Sequence, residues 1–160
     1  MRASTFFATL AATAATASPL AARAADYQWD VTQWDAGCNN DGCTYQFKIA
    51  GAATSDYPAR PAFSASCTGQ STDGQVYTQY ANCKLDSKDT KGTLVSRINK
   101  PAELLGSRTV VPLQVSFQFA DLNQDNTYWN YTGVQNTTFN RGGTPPQSFA
   151  IIPKESFGIA

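Results

Sequence analysis

Nine consecutive residues constrain this chain more than any others. In Val111-Pro112-Leu113-Gln114-Val115-Ser116-Phe117-Gln118-Phe119 every second side chain is apolar, and its partners are Pro, Gln, Ser and Gln. Successive side chains of a strand point to opposite faces, so a period of two describes a strand with one face in a core and the other in water. Pro112 has no amide hydrogen, which predicts that the strand starts there or runs along an edge at that point. Tyr45-Gln46-Phe47-Lys48-Ile49 alternates in the same way. Weaker strand signals cover residues 27–34, 62–67, 76–83, 93–98, 127–138 and 149–152, with turn clusters between them at short intervals. Together they predict an all-β protein, an antiparallel β-barrel or sandwich. Helix is suggested only by Pro101-Ala102-Glu103-Leu104-Leu105-Gly106, where Pro and Gly frame about one turn. Residues 140–147, with Gly142-Gly143 and Pro145-Pro146, read as a surface loop before a last short strand.

The N-terminus has a different character. Arg2 supplies a positive start, Phe6, Phe7 and Leu10 head an alanine-rich run, and Ala22-Arg23-Ala24 has the small-x-small form of a cleavage site. Residues 1–24 therefore read as a signal peptide, and residues 25–160 as one β domain. The whole chain has a formal charge of zero, and losing Arg2 and Arg23 leaves the mature chain slightly acidic. No Lys/Arg run occurs, which argues against a nucleic-acid partner and against an electrostatic hold on a membrane. The expected location is secreted and extracellular, including the cell wall.

Four cysteines follow the leader: Cys38, Cys43, Cys67 and Cys83. An even count in a secreted chain implies two disulfides, with three possible connectivities. Local geometry favours Cys38–Cys43 with Cys67–Cys83. Asn39-Asn40-Asp41-Gly42 is a tight-turn sequence, and Thr68-Gly69-Gln70-Ser71-Thr72-Asp73-Gly74 is a second turn-rich loop. A zinc site is disfavoured, because the spacing is wrong and the chain has no histidine.

That absence of histidine also removes Ser-His-Asp and Cys-His nucleophile systems in their usual form. Of the acidic residues only two are glutamates, Glu103 and Glu155, and neither sits in a catalytic motif. Asp30 with Asp35, or Asp86 with Asp89, are the pairs to consider for sugar hydrolysis, although solvated surface is the simpler account of each. Asp121-Leu122-Asn123-Gln124-Asp125-Asn126 opens like a calcium loop, with oxygen side chains at its first, third and fifth positions. It has Asn126 where an EF-hand has Gly and Thr132 where it has Glu, and so reads better as a polar turn. No metal, cofactor or catalytic residue is assigned. Asn130-Tyr131-Thr132 and Asn136-Thr137-Thr138 are N-glycosylation sequons, with Asn130 and Asn136 as acceptors. Trp29, Trp34 and Trp129 are candidate exposed binding aromatics, although rings at strand spacing are more often core and burial of all three is the simpler account. Unbroken alternation would put Trp29 and Val31 on one face and Trp34 on the other, with one tryptophan at the surface or a rim.

The segment Asp26-Tyr27-Gln28-Trp29-Asp30-Val31-Thr32-Gln33-Trp34 resembles the first strand of the Alternaria-type major allergen family of fungi. Tyr45-Gln46-Phe47-Lys48-Ile49 is similar to its second strand. Phe63-Ser64-Ala65-Ser66-Cys67 with Tyr80-Ala81-Asn82-Cys83 looks like its central disulfide hairpin. The resemblance covers the first half of the mature chain. It implies a secreted antiparallel β-barrel without known catalysis, an elicitor- or effector-like protein that binds a host protein, with a plant as the expected host. Two departures stand out. The second cysteine pair is N-terminal, and no cysteine is left over for a covalent dimer, so a monomer or a non-covalent dimer is expected. The rival expectation is a carbohydrate-binding or wall-degrading protein that uses exposed Trp and an Asp pair.

Overall fold

The computed structural model describes residues 27–71, 75–88, 90, 92–100, 110–124, 126–141 and 145–159. The leader read at residues 1–24, the helical turn read at 101–106, and Asp89, Glu103 and Asp125 lie outside the described residues, as does the side chain of Glu155.

Among the described residues all regular structure is β. The strands are β1 (Trp29–Asn39), β2 (Gly42–Gly51), β3 (Phe63–Gln70), β4 (Ala81–Asn82), β5 (Lys84–Leu85), β6 (Gly92–Ile98), β7 (Val110–Ala120), β8 (Tyr128–Thr138), β9 (Gln147–Ile151) and β10 (Lys154–Ile159). They form two antiparallel sheets of order β5-β3-β2-β1-β9 and β10-β8-β7-β6-β4. Of the two expected architectures the sandwich is the one found. The sheets do not close into a barrel through hydrogen bonds. The chain itself crosses between them, at Cys83 from β4 to β5 and at Ile152-Pro153 from β9 to β10. Pro153 cannot donate to a ladder and so suits a crossing.

The strand at residues 111–119 lies in the middle of its sheet, between β6 and β8. Val111, Leu113, Val115, Phe117 and Phe119 all point into the core, as their period requires. β7 begins two residues before Pro112. The Pro112 carbonyl accepts from Asn99 N–H at 2.9 Å, which places the missing amide hydrogen on the β6 side, where β6 has just ended at Ile98. Proline is thus tolerated in a central strand because its neighbour has stopped. The expected strand at 76–83 is reduced to the two residues of β4. The last expected strand, at 149–152, is followed by a further one, β10.

The two inner faces meet through rings. Phe63 of β3 and Phe117 of β7 have centroids 4.5 Å apart. Within the first sheet, Trp34 stacks on Tyr45 at 6.0 Å. The Tyr45 hydroxyl crosses the core to Ser96 Oγ at 2.9 Å, and both residues are buried. Gly133 of β8 lies over Ile151 of β9, so a Cβ there would stand 2.2 Å from Ile151 Cγ2.

Both disulfides join as the turn residues favour, Cys38 to Cys43 and Cys67 to Cys83. The first closes the β1–β2 hairpin, where Cys38 and Cys43 are cross-strand partners and Gly42 adopts φ +132°. The second ties β3 to the crossing between the sheets.

Strict alternation fails in β1. Its register slips between Thr32 and Asp35 against β2, and between Val31 and Trp34 against β9. Gln33 sits at φ 56°, a left-handed bulge residue. The bulge resets the phase, so Trp29, Val31, Trp34 and Ala36 all face inward. Trp29 and Trp34 are therefore fully buried, which corrects the expectation that one of them is exposed. Asn140 completes the bulge from the far end of the chain. Its Nδ2 donates to the Trp34 carbonyl at 2.8 Å and its Oδ1 accepts from Ala36 N–H at 2.8 Å. The start of the expected surface loop at 140–147 is thus a buried structural residue.

Candidate functional site

Burial of Trp29 and Trp34 leaves Trp129 as the only tryptophan with surface to offer. It belongs to a cluster built by two connections at one end of the sandwich. Residues 52–62 join β2 to β3 as a hairpin extension, in which Thr54 and Arg60 exchange backbone hydrogen bonds at 3.0 and 3.2 Å. Tyr57 stands at its tip, 64 % exposed. Residues 121–127 join β7 to β8, and Asp121 N–H closes that turn on the Thr127 carbonyl at 2.7 Å. The two connections touch. Tyr57 packs edge-on against Trp129 with centroids 5.9 Å apart, and Gln124 Nε2 donates to the Tyr57 hydroxyl at 3.3 Å. Leu122, in the same turn as Gln124, is exposed.

Trp129 is held from behind. Its Nε1 donates to Asp121 Oδ2 at 2.6 Å, while Asp121 Oδ1 accepts from Asn123 N–H at 2.7 Å. The Trp129 N–H, with help from the backbone N–H of Asn123, holds the Asp121 carboxyl below the ordinary aspartate range. Both oxygens of Asp121 are thus engaged within its own turn. Asp121 opens a turn and fixes a tryptophan, and Asp125 lies outside the described residues.

Arg60 is the cation of the cluster. Its Nε donates to Thr54 Oγ1 at 2.8 Å, and its guanidinium carbon lies 4.3 Å from the Tyr27 ring centroid and 5.4 Å from that of Tyr131. Burial pushes the Tyr27 phenol above its ordinary value, so the ring meeting Arg60 is a neutral π face. Pre-ordering of this kind lowers the entropy lost when a side chain is immobilised by a partner.

The carboxylates do not converge. Asp30 and Asp35 lie along β1, roughly 15 Å apart at about 3.3 Å per residue, against about 5–9.5 Å for a glycosidase pair. Asp30 accepts from Gln28 Nε2, and Asp35 pairs with Arg141 at 3.1 Å. Asp86 follows β5 at the edge of the same sheet, with β3 and β2 between it and the strand of Asp30, and accepts from Ser64 Oγ at 2.5 Å. Among the described residues no group of three His, Cys, Asp or Glu side chains comes together to hold a metal. Asn130 and Asn136 both lie on the outer face of β8. Asn136 is exposed and Asn130 half-buried.

Tyr57, Arg60, Leu122 and Gln124 were not singled out by the sequence pattern. Their only signal was a Tyr-Pro step between two strands and an apolar residue inside a polar turn. Comparison with protein-family models, with characterised proteins and with solved structures returns no match.

Proposed function

We propose that this is a secreted protein that works by binding a host extracellular protein, in the first instance from a plant, through the surface built by Tyr57, Arg60, Leu122 and Trp129, and without catalysis. The observation that carries the reading is the fixed Trp129, pinned by Asp121 and braced edge-on by Tyr57, at the loop end of a disulfide-stapled sandwich. Trp, Tyr and Arg dominate binding hot spots, and loops on a rigid scaffold are where recognition residues concentrate. Two disulfides and, among the described residues, no helix long and apolar enough to cross a membrane fit an extracellular location. All four cysteines are paired within the chain, which fits a monomer or a non-covalent dimer. The effector- or elicitor-like and fungal part of the proposal is supported by the likeness at residues 26–34, 45–49, 63–67 and 80–83.

Infiltration of the purified protein into leaf tissue, with an immune or cell-death readout, tests the proposal. Trp129→Ala, Tyr57→Ala and Arg60→Ala should each lower potency at least about tenfold, as loss of a hot spot does. Asp30→Asn, Asp35→Asn and Asp86→Asn should leave it unchanged. Two folded carboxylate variants that each abolish activity, together with turnover of a wall polysaccharide by the parent, would make the protein a hydrolase instead.

A further inference from the structure

The outer face of β8 carries exposed aromatic surface that the loop-end cluster does not use. Tyr128 and Phe157 are each 47 % exposed. Asn130 lies between them. It is the cross-strand partner of Phe157 on β10 and stands two residues after Tyr128 on the same face of β8. Facing side chains of antiparallel partners are about 4.5–5.5 Å apart at Cβ. Asn130 is also the acceptor of the Asn130-Tyr131-Thr132 sequon.

The hydrogen bonds of this face orient the amide. Thr132 Oγ1 and Ser116 Oγ are 2.6 Å apart, and Ser116 Oγ donates to Asn130 Oδ1 at 3.2 Å. Thr132 therefore donates to Ser116, and Ser116 to Asn130. The relay draws Oδ1 toward β7, the strand on the opposite side of β8 from β10 and Phe157. Among the described residues Nδ2 has no hydrogen-bond partner. An amide that keeps its oxygen bonded and frees its nitrogen is arranged as a glycosylated asparagine needs to be. Asn136 differs. It lies beyond the end of β10, opposite Pro112, and its same-face neighbours are Val134 and Thr138, with no ring among them.

We propose that Asn130 carries an N-linked glycan whose first N-acetylglucosamine packs on Phe157 and Tyr128, so that the sugar covers the apolar part of this sheet face. In the transfer, Asn130 Nδ2 attacks C1 of the reducing-end sugar of a lipid-diphosphate-linked oligosaccharide. The N–C1 bond forms, the C1–O bond to the diphosphate breaks, the amide nitrogen gives up a proton and the lipid diphosphate leaves. The step precedes folding, because in the sheet Thr132 is already bonded to Ser116. The sugar's axial C–H face then meets the rings as an apolar surface. The proposal rests on the secretion reading, since the donor exists only in the secretory pathway.

The full chain is expressed in yeast, and glycopeptides of the protein in the medium are mapped. Endoglycosidase treatment that leaves one N-acetylglucosamine is followed by thermal unfolding, with Asn130→Gln and Asn136→Gln as references. Asn130 should be occupied, and its single sugar should raise Tm by about 2–4 °C over Asn130→Gln. The gain should vanish in Phe157→Ala or Tyr128→Ala with occupancy retained, and Asn136→Gln should leave Tm unchanged. Protein in the medium with Asn130 bare, or occupied with no gain in Tm, overturns the proposal. Retention of the chain inside the cell counts against the secretion reading alone, and the same chain behind a yeast leader then decides the glycan question by the same two measurements.

Discussion

The Trp129 indole donates to Asp121 at 2.6 Å, and that bond governs both what the ring presents and how the site responds to acid. An aspartate whose folded pKa lies below its unfolded value of about 3.9 stabilises the fold above that value. The contribution is lost as pH falls through the folded value, because the unfolded chain takes up protons first. Urea unfolding should therefore show stability dropping below about pH 4, more steeply in the parent than in Asp121→Asn. Tryptophan emission should shift to the red over the same window in the parent. At the centre of the core, Tyr45 and Ser96 share a hydrogen bond that joins the two sheets. Burial pushes the Tyr45 phenol above its ordinary value, so the neutral hydroxyl is the stable form. Tyr45→Phe should cost about 1–2 kcal/mol, since it leaves a buried hydroxyl short of a partner. A double-mutant cycle with Ser96→Ala should return most of that as coupling.

Within β1 a single extra residue decides where a tryptophan goes. Gln33 in the left-handed region shifts the phase of the strand, and Asn140 supplies the two hydrogen bonds the shifted backbone lacks. Gln33→Val places a β-branched side chain at a positive φ that it tolerates poorly, and either strains the bulge or restores the unbroken alternation that turns Trp34 toward water, with loss of folded protein as the expected result. Asn140→Ala keeps the bulge but strands a buried carbonyl and a buried N–H, for about 3 kcal/mol, readable from the shift in denaturation midpoint. In β7 the alternation is intact and the two faces respond differently. Val115→Asp places a charge among fully buried side chains and should prevent folding, whereas Gln118→Asp points to water and should be tolerated. Ser116 breaks the simple rule. It lies on the outer face, yet it is nearly buried and relays between Thr132 and Asn130. Ser116→Asp should be clearly worse than Gln118→Asp in secreted yield. Period alone reports which face a residue is on, and not how crowded that face is.

Over the whole molecule the two sheets are held as a unit by rings in the core and by the short chain crossings at Cys83 and at Ile152-Pro153, the first of which is pinned by Cys67–Cys83. That bridge spans 16 residues and the hairpin bridge Cys38–Cys43 spans 5. In the chain-entropy picture they contribute about 3 and about 2 kcal/mol. Replacing Cys67 and Cys83 together should thus cost more than replacing Cys38 and Cys43. The measured gap should exceed the entropic one, because Cys67 is fully buried and its replacement also disturbs packing at the crossing. Most of the strands, though not β10, the inward faces of β2 and β7, and both disulfide pairs were legible in the residues themselves. Alternation, turn sequences and short loops are local properties, and their physics is complete within a few residues of chain. The candidate site was legible only at Trp129. Trp34 is buried because Asn140, 106 residues away, completes a bulge, and Tyr57 braces Trp129 because Gln124, 67 residues away, reaches its hydroxyl. Contacts of that span leave no periodic trace in either partner, so the sequence determined a stapled β protein, and only the packing of two sheets decided which aromatic rings are core and which face water.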